Sequence, residues 1–149
     1  MYKQLLKAST AIIFSLLLIS CNKDSDGYRK TINIELKSVN QLTINNGKFT
    51  ATLWGHDPMV QDVPASKITE QSYESKTLPV NIKMNIPKDP DSKIEPRNEN
   101  LDMQYYLTVE WDANNNQKYD KGDIIMDSNK QFPAVDLKKK NHTLYVYQF

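Results

Sequence analysis

Between Leu101 and Trp111 the chain reads LDMQYYLTVEW, with Leu101, Met103, Tyr105, Leu107, Val109 and Trp111 at every second position. Successive side chains of a strand point to opposite faces, so this run turns an apolar face to a core and leaves Tyr106, Thr108 and Glu110 on the other side. The same period recurs in TINIELKSV with Ile32, Ile34 and Leu36, and in LPVNIKMNI with Val80, Ile82, Met84 and Ile86. It returns in the closing NHTLYVYQF, where Leu144 and Val146 alternate with Tyr145 and Tyr147. No window carries a sustained helical stripe; PASKITEQSYES at 64–75 fits either a short helix from Ser66 or an irregular edge strand. Asn45-Asn46-Gly47, between QLTI and KFTATLW, predicts a type I′ hairpin, because an Asn-Gly pair supplies the positive φ angles that this turn demands. Pro87, Pro90 and Pro96 have no N–H to give to a ladder, which predicts a long loop or ragged edge there. About seven short strands punctuated by turns predict an all-β fold, a small antiparallel β-sandwich or open barrel.

The start of the chain has a different character. The first seven residues hold Lys3 and Lys7 and no acid, Ala11 to Ile19 is apolar apart from Ser15, and Ser20-Cys21 follows. A basic start, a short apolar core and a small residue before a cut make a secretion signal, and the run ends well short of the roughly 20 residues that a spanning helix needs. Leu18, Ile19, Ser20 and Cys21 resemble a bacterial lipobox. That resemblance implies cleavage before Cys21 and a lipid anchor on it, with palmitate among its chains. Asn22 in place of aspartate further implies the outer membrane of a two-membrane host, with the domain in the periplasm. Cys21 is the only cysteine, so an internal disulfide is excluded and the domain must be stable without covalent staples.

Removing residues 1–20 from the 149 leaves 129, a comfortable size for one domain. The expected organisation is a signal peptide over 1–20, the lipidated cysteine and a polar tether over 21–30, and the β-sandwich over 31–149. Without the leader the chain has 17 basic and 18 acidic residues, a balance that gives no electrostatic reason for a nucleic-acid partner.

One loop has the makings of a metal site. Calcium loops place oxygen ligands at positions 1, 3, 5, 7, 9 and 12, the seventh from a backbone carbonyl. Counted from Asp112, WDANNNQKYDKGD supplies Asp112, Asn114, Asn116, the Lys118 carbonyl, Asp120 and Asp123. Position 6 is Gln117 where the sharp turn normally needs glycine, and position 12 is the shorter Asp123 where glutamate is usual. A solvated turn explains the same residues, since Asn tolerates left-handed backbone geometry. Calcium site and polar turn both stay open at this point; a calcium site of this mixed composition falls in the weak extracellular range of about 0.1–1 mM.

Catalytic chemistry finds little support. The histidines are His56 and His142, and His56 has Asp57 beside it, but neighbours along a strand face opposite ways, so His56 is read as a turn residue. Asp89 and Asp91 lie in the proline-rich loop, where solvation is the simpler account. Trp54 and Trp111 are read as packing residues. The expectation is a protein that is not an enzyme.

Four stretches, ATLWGHDPMVQDVPASKITEQ at 51–71, LPVNIKMNIP at 78–87, YYLTVEWD at 105–112 and GDIIMDSNKQFPAV at 122–135, together resemble the YbaY-type lipoproteins and the YscW-type pilotins of type III secretion. The resemblance implies a small lipid-carried β-sandwich whose pilotin members bind a secretin subunit and assist its assembly; it implies no catalytic residue. The leading expectation is a non-enzymatic, lipid-anchored envelope lipoprotein that binds another envelope protein, with Tyr106, Tyr145 and Tyr147 as candidate contacts. The alternative is a calcium-dependent ligand- or surface-binding β module using Asp112–Asp123. A periplasmic hydrolase, or an inhibitor of one, would instead require a concave cluster around His56.

Overall fold

The computed structural model describes residues 28–149. The signal peptide, Cys21 and the tether as far as Gly27 lie outside the described residues. Seven strands follow: β1 (Tyr28–Lys37), β2 (Lys48–His56), β3 (Ser66–Glu74), β4 (Val80–Pro87), β5 (Gln104–Glu110), β6 (Ile124–Met126) and β7 (Asn141–Gln148). They form a four-stranded sheet in the order β4-β1-β7-β6 and a three-stranded sheet in the order β3-β2-β5. Tyr28 opens β1, so the strand begins within the stretch 21–30 expected as tether.

The alternation read from the sequence sorts these strands correctly. Ile32, Ile34 and Leu36 of β1, Ile82, Met84 and Ile86 of β4, Tyr105, Leu107 and Val109 of β5, and Leu144 and Val146 of β7 are buried between the sheets. At the end of the β5 run Trp111 is buried too, but Leu101 is exposed, so the strand starts at Gln104. Of the two readings for 64–75, the strand is realised: β3 is an edge strand with only Ile68 buried.

All ladders are antiparallel except one. β1 and β7, the two interior strands of the larger sheet, pair in parallel, with Ile34 opposite His142 and Leu36 opposite Leu144. A parallel pair cannot be joined by a tight turn; here the whole domain is the connection.

The expected hairpin at Asn45-Asn46-Gly47 does not form. QLTI is not a strand, and none of the three residues takes a positive φ. The connection from β1 to β2 passes from one sheet to the other, and the Asn-Asn-Gly backbone docks on the far side of the core. Asn45 and Asn46 N–H both donate to the Ala113 carbonyl, at 2.8 and 3.1 Å, and Asn46 accepts from Trp111 Nε1 at 2.7 Å. Gly47 is required by contact: a Cβ there would meet the Ser75 carbonyl oxygen at 2.8 Å.

The two sheets are also joined along both sides. On one side the Ile124 N–H donates to the Trp111 carbonyl at 3.0 Å, and the Pro133–Val135 segment bonds the β5 backbone at Tyr105 and Leu107. On the other side the join is made by side chains. The Gln71 amide of β3 donates to the Asn85 carbonyl at 2.9 Å and accepts from the Asn85 N–H at 3.2 Å, reproducing the two bonds of a strand partner on β4. Tyr73 Oη donates to the Lys83 carbonyl at 2.8 Å, and burial pushes the phenol up to about 12. Replacing both, Gln71→Ala with Tyr73→Phe, is expected to lower stability by about 1–3 kcal/mol at roughly 1 kcal/mol per net hydrogen bond. The urea midpoint measures it; an unchanged midpoint would mean that water substitutes for both side chains.

Candidate functional site

A groove of about 1460 Å³ runs along the three-stranded sheet, lined by the outward-facing Trp54, Tyr106 and Thr108 and reaching the core residues Phe49, Val109, Trp111 and Met126. Cross-strand register builds its floor: Trp54 lies opposite Tyr106 and Thr50 opposite Glu110, with Thr108 between them on β5. Trp54 Nε1 donates to Thr108 Oγ1 at 2.8 Å. Trp54 is therefore half-buried on the outer face of the sheet and takes no place in the core, whereas Trp111 stacks on Phe49 with centroids 4.3 Å apart and is a core residue. Pro64 and Ala65 line one end of the groove, and Asp112, Gln117, Lys118, Tyr119 and Asp123 line the other. Thr52 is buried on this face and donates to Glu70, which Lys67 and Thr52 together hold below the usual carboxylate range. Nothing in the local sequence signals that the neighbours of Thr52 cover it.

Of the three tyrosines expected as contacts, only Tyr106 lines the groove, packed against Phe132 at 5.9 Å and His56 at 6.1 Å. Tyr145 and Tyr147 are half-buried in β7 of the other sheet, and Lys130 Nζ lies 5.6 Å from the Tyr145 ring.

The Asp112–Asp123 loop runs from the end of β5 to the start of β6, pinned at both ends. Asn46 Nδ2 donates to the Asp112 carbonyl at 3.1 Å, the Gly122 N–H to the Phe149 carbonyl at 2.7 Å, and the Phe149 N–H to the Asp123 carbonyl at 2.9 Å. Inside the loop, Asp112 Oδ1 accepts the Asn116 N–H and its Oδ2 accepts the Gln117 N–H, at 3.0 and 2.9 Å. Asn114 Oδ1 accepts the Asn116 N–H, and Asn116 Oδ1 the Lys118 N–H. The amide nitrogens of Asn114 and Asn116 donate to the Asp120 carboxylate at 2.9–3.1 Å. Gln117 has φ 61°, so position 6 makes the sharp left-handed turn without glycine. Asp123 is 3% exposed; its Oδ2 accepts the Asp120 N–H at 3.1 Å, and its Oδ1 is buried without a hydrogen-bond partner.

The other titratable residues singled out in the sequence are used differently. Asp57 is buried, and its two oxygens accept the Met59 and Asn98 N–H groups at 2.8 and 2.6 Å, tying two loops together. His56 Nδ1 is buried without a partner, so Asp57 does not orient the imidazole. Asp91 accepts the Tyr105 hydroxyl, and burial together with that acid pushes the phenol well above its usual range. Burial lowers the His142 imidazole below its usual range. Among the described residues no three His, Cys, Asp or Glu side chains are grouped to hold a metal ion by themselves, and no helix is long and apolar enough to cross a membrane.

No protein-family model matches the chain, and no curated protein matches it. Among solved structures, an alternative pilotin from the type II secretion system of Vibrio cholerae is similar at a TM-score of 0.45 and 16% identity, over 80% of this chain and 98% of that one.

Proposed function

We propose that the protein is a non-enzymatic, lipid-anchored envelope lipoprotein that binds a segment of another envelope protein along the groove of its three-stranded sheet. The observation that carries the reading is the size and lining of that groove. At about 1460 Å³ it exceeds the roughly 300–1,000 Å³ of small-molecule sites. Its floor mixes aromatic rings with hydroxyls and charges of both signs, from Trp54 and Tyr106 to Thr108, Lys48, Glu110 and Lys118. Such a lining suits a polypeptide with alternating polar and apolar side chains. Strand addition at the β4 edge is a poorer route, because Gln71 and Tyr73 already occupy its backbone groups at Lys83 and Asn85.

The anchor supplies the geometry of encounter. Six residues lie between Cys21 and Tyr28, where β1 starts, and the seven extended steps from one to the other reach at most about 25 Å. A lipid on Cys21 thus holds the domain close to the head groups, where its partner must also be.

A photo-crosslinking residue at Lys118, beside the groove, tests the reading in cells. Lys83 on β4 of the other sheet, also exposed, is the control position. The expected result is a discrete adduct with an envelope protein from position 118 and none from 83, lost when Cys21→Ser releases the chain from the membrane. No adduct, or the same adducts from both positions, would rule out the groove as the docking face.

A further inference from the structure

We infer that the Asp112–Asp123 loop is a calcium site on a β scaffold. The decisive observation is the Asp123 carboxylate. It is 3% exposed, the Asp120 N–H holds one of its oxygens toward the loop, and the other oxygen is buried with no hydrogen-bond donor. A buried carboxylate oxygen without a donor costs stability unless something electropositive meets it. Asp112 and Asp120 bring two more carboxylates to the same loop, whereas among the described residues no lysine or arginine forms an ion pair with any of the three.

The acids alone do not complete a cation shell, and the loop contains what they lack. Asn114, Asn116 and the Lys118 carbonyl add neutral oxygens, giving six oxygen-bearing positions of the kind a hard cation such as calcium takes. The Asp120 carboxylate now receives amide hydrogens from Asn114 and Asn116. The Oδ1 atoms of Asn114 and Asn116 accept the Asn116 and Lys118 N–H groups at 2.9 and 2.8 Å and keep a second lone pair for a cation. The backbone itself is prepared: Gln117 already makes the sharp turn, and both loop ends are fastened to the sandwich through Asn46 and Phe149. Oxygens from a loop of adjustable side chains favour calcium over magnesium, which demands a tighter octahedron and keeps its waters. This assignment is independent of the partner reading and stands or falls separately from it.

The test uses the full chain in detergent, stripped with chelator and titrated calorimetrically with calcium chloride, then melted at about 10 mM calcium or magnesium. The expected result is one calcium ion per chain with Kd of about 0.1–1 mM, and a rise in Tm of roughly 5–10 °C that magnesium does not reproduce. Asp120→Asn, on the less buried acid, should weaken binding at least tenfold and remove the calcium shift measured against its own metal-free melt; Asp123→Asn should do the same. If Asp123→Asn does not fold, the wild-type titration and Asp120→Asn still decide. A folded wild-type chain that gives neither heat nor a shift at about 10 mM calcium overturns the site, as does an equal response from wild type and Asp120→Asn, or from calcium and magnesium.

Discussion

Trp111→Ala is expected to lower the unfolding free energy by about 3–5 kcal/mol, a large part of the 5–15 kcal/mol that holds a domain of this kind together. Two separate losses meet at this residue, at a corner whose backbone bond the truncation leaves in place. Its indole is 2% exposed and stacked on Phe49 at an interplanar angle of 17°, so truncation opens a cavity in a packed layer. The indole N–H is the donor to the Asn46 carbonyl, in the segment that crosses between the sheets. The Trp111 backbone is also where Ile124 attaches β6 to the three-stranded sheet. Trp111→Phe keeps a ring on Phe49 and should recover about half of the loss. Trp54→Ala, on the half-buried outer face, should cost much less. Urea unfolding followed by far-UV circular dichroism ranks the three. A loss below about 1 kcal/mol for Trp111→Ala would show that the corner repacks without its ring.

Deleting Asn141–Phe149 is expected to abolish cooperative unfolding altogether. β7 is an interior strand, flanked by β1 in parallel and by β6 in antiparallel register, so its removal strips both neighbours. Leu144 and Val146 leave the core with it, at about 1.5–3 kcal/mol each, and the β1 edge is laid open. The loss exceeds the margin of a marginally stable fold. A synthetic peptide of residues 141–149 added in trans should restore near-ultraviolet ellipticity, because it supplies the one missing strand on which β1 and β6 can pair. A truncated chain that still melts cooperatively would mean that the parallel pair is dispensable.

Strand identity and facing were legible in the sequence wherever apolar residues alternate, as in β1, β4, β5 and β7. β3 was ambiguous for a physical reason: with Ile68 as its only buried residue it has no stripe to read, and its place is fixed by pairing with β2. The parallel union of β1 and β7 was not legible, because local periodicity says which face a strand buries and nothing about which strand, 108 residues away at Asn33 and Asn141, lies beside it. Asn45-Asn46-Gly47 misled because the turn chemistry is a local preference, and the segment instead meets the Trp111 indole and the Ala113 carbonyl. At the loop, the oxygen-bearing positions could be counted from sequence. The left-handed turn at Gln117 and the orphaned Asp123 oxygen could not, since the spacing of residue types carries neither backbone angles nor burial. The groove was invisible for a similar reason: its floor is assembled across β2 and β5, more than fifty residues apart at Trp54 and Thr108.

The side-chain join between β3 and β4 bears on how copies of the chain behave when crowded together. The ring of strands closes through backbone on one side and through Gln71 and Tyr73 on the other, so it has a seam. Parting that seam would bare two unlike edges, one on each sheet. Copies joined β3 to β4 would repeat the same head-to-tail contact, which ends in a ring where the rotation closes and in a filament where it does not. Two side chains therefore separate a self-contained unit from a head-to-tail assembly.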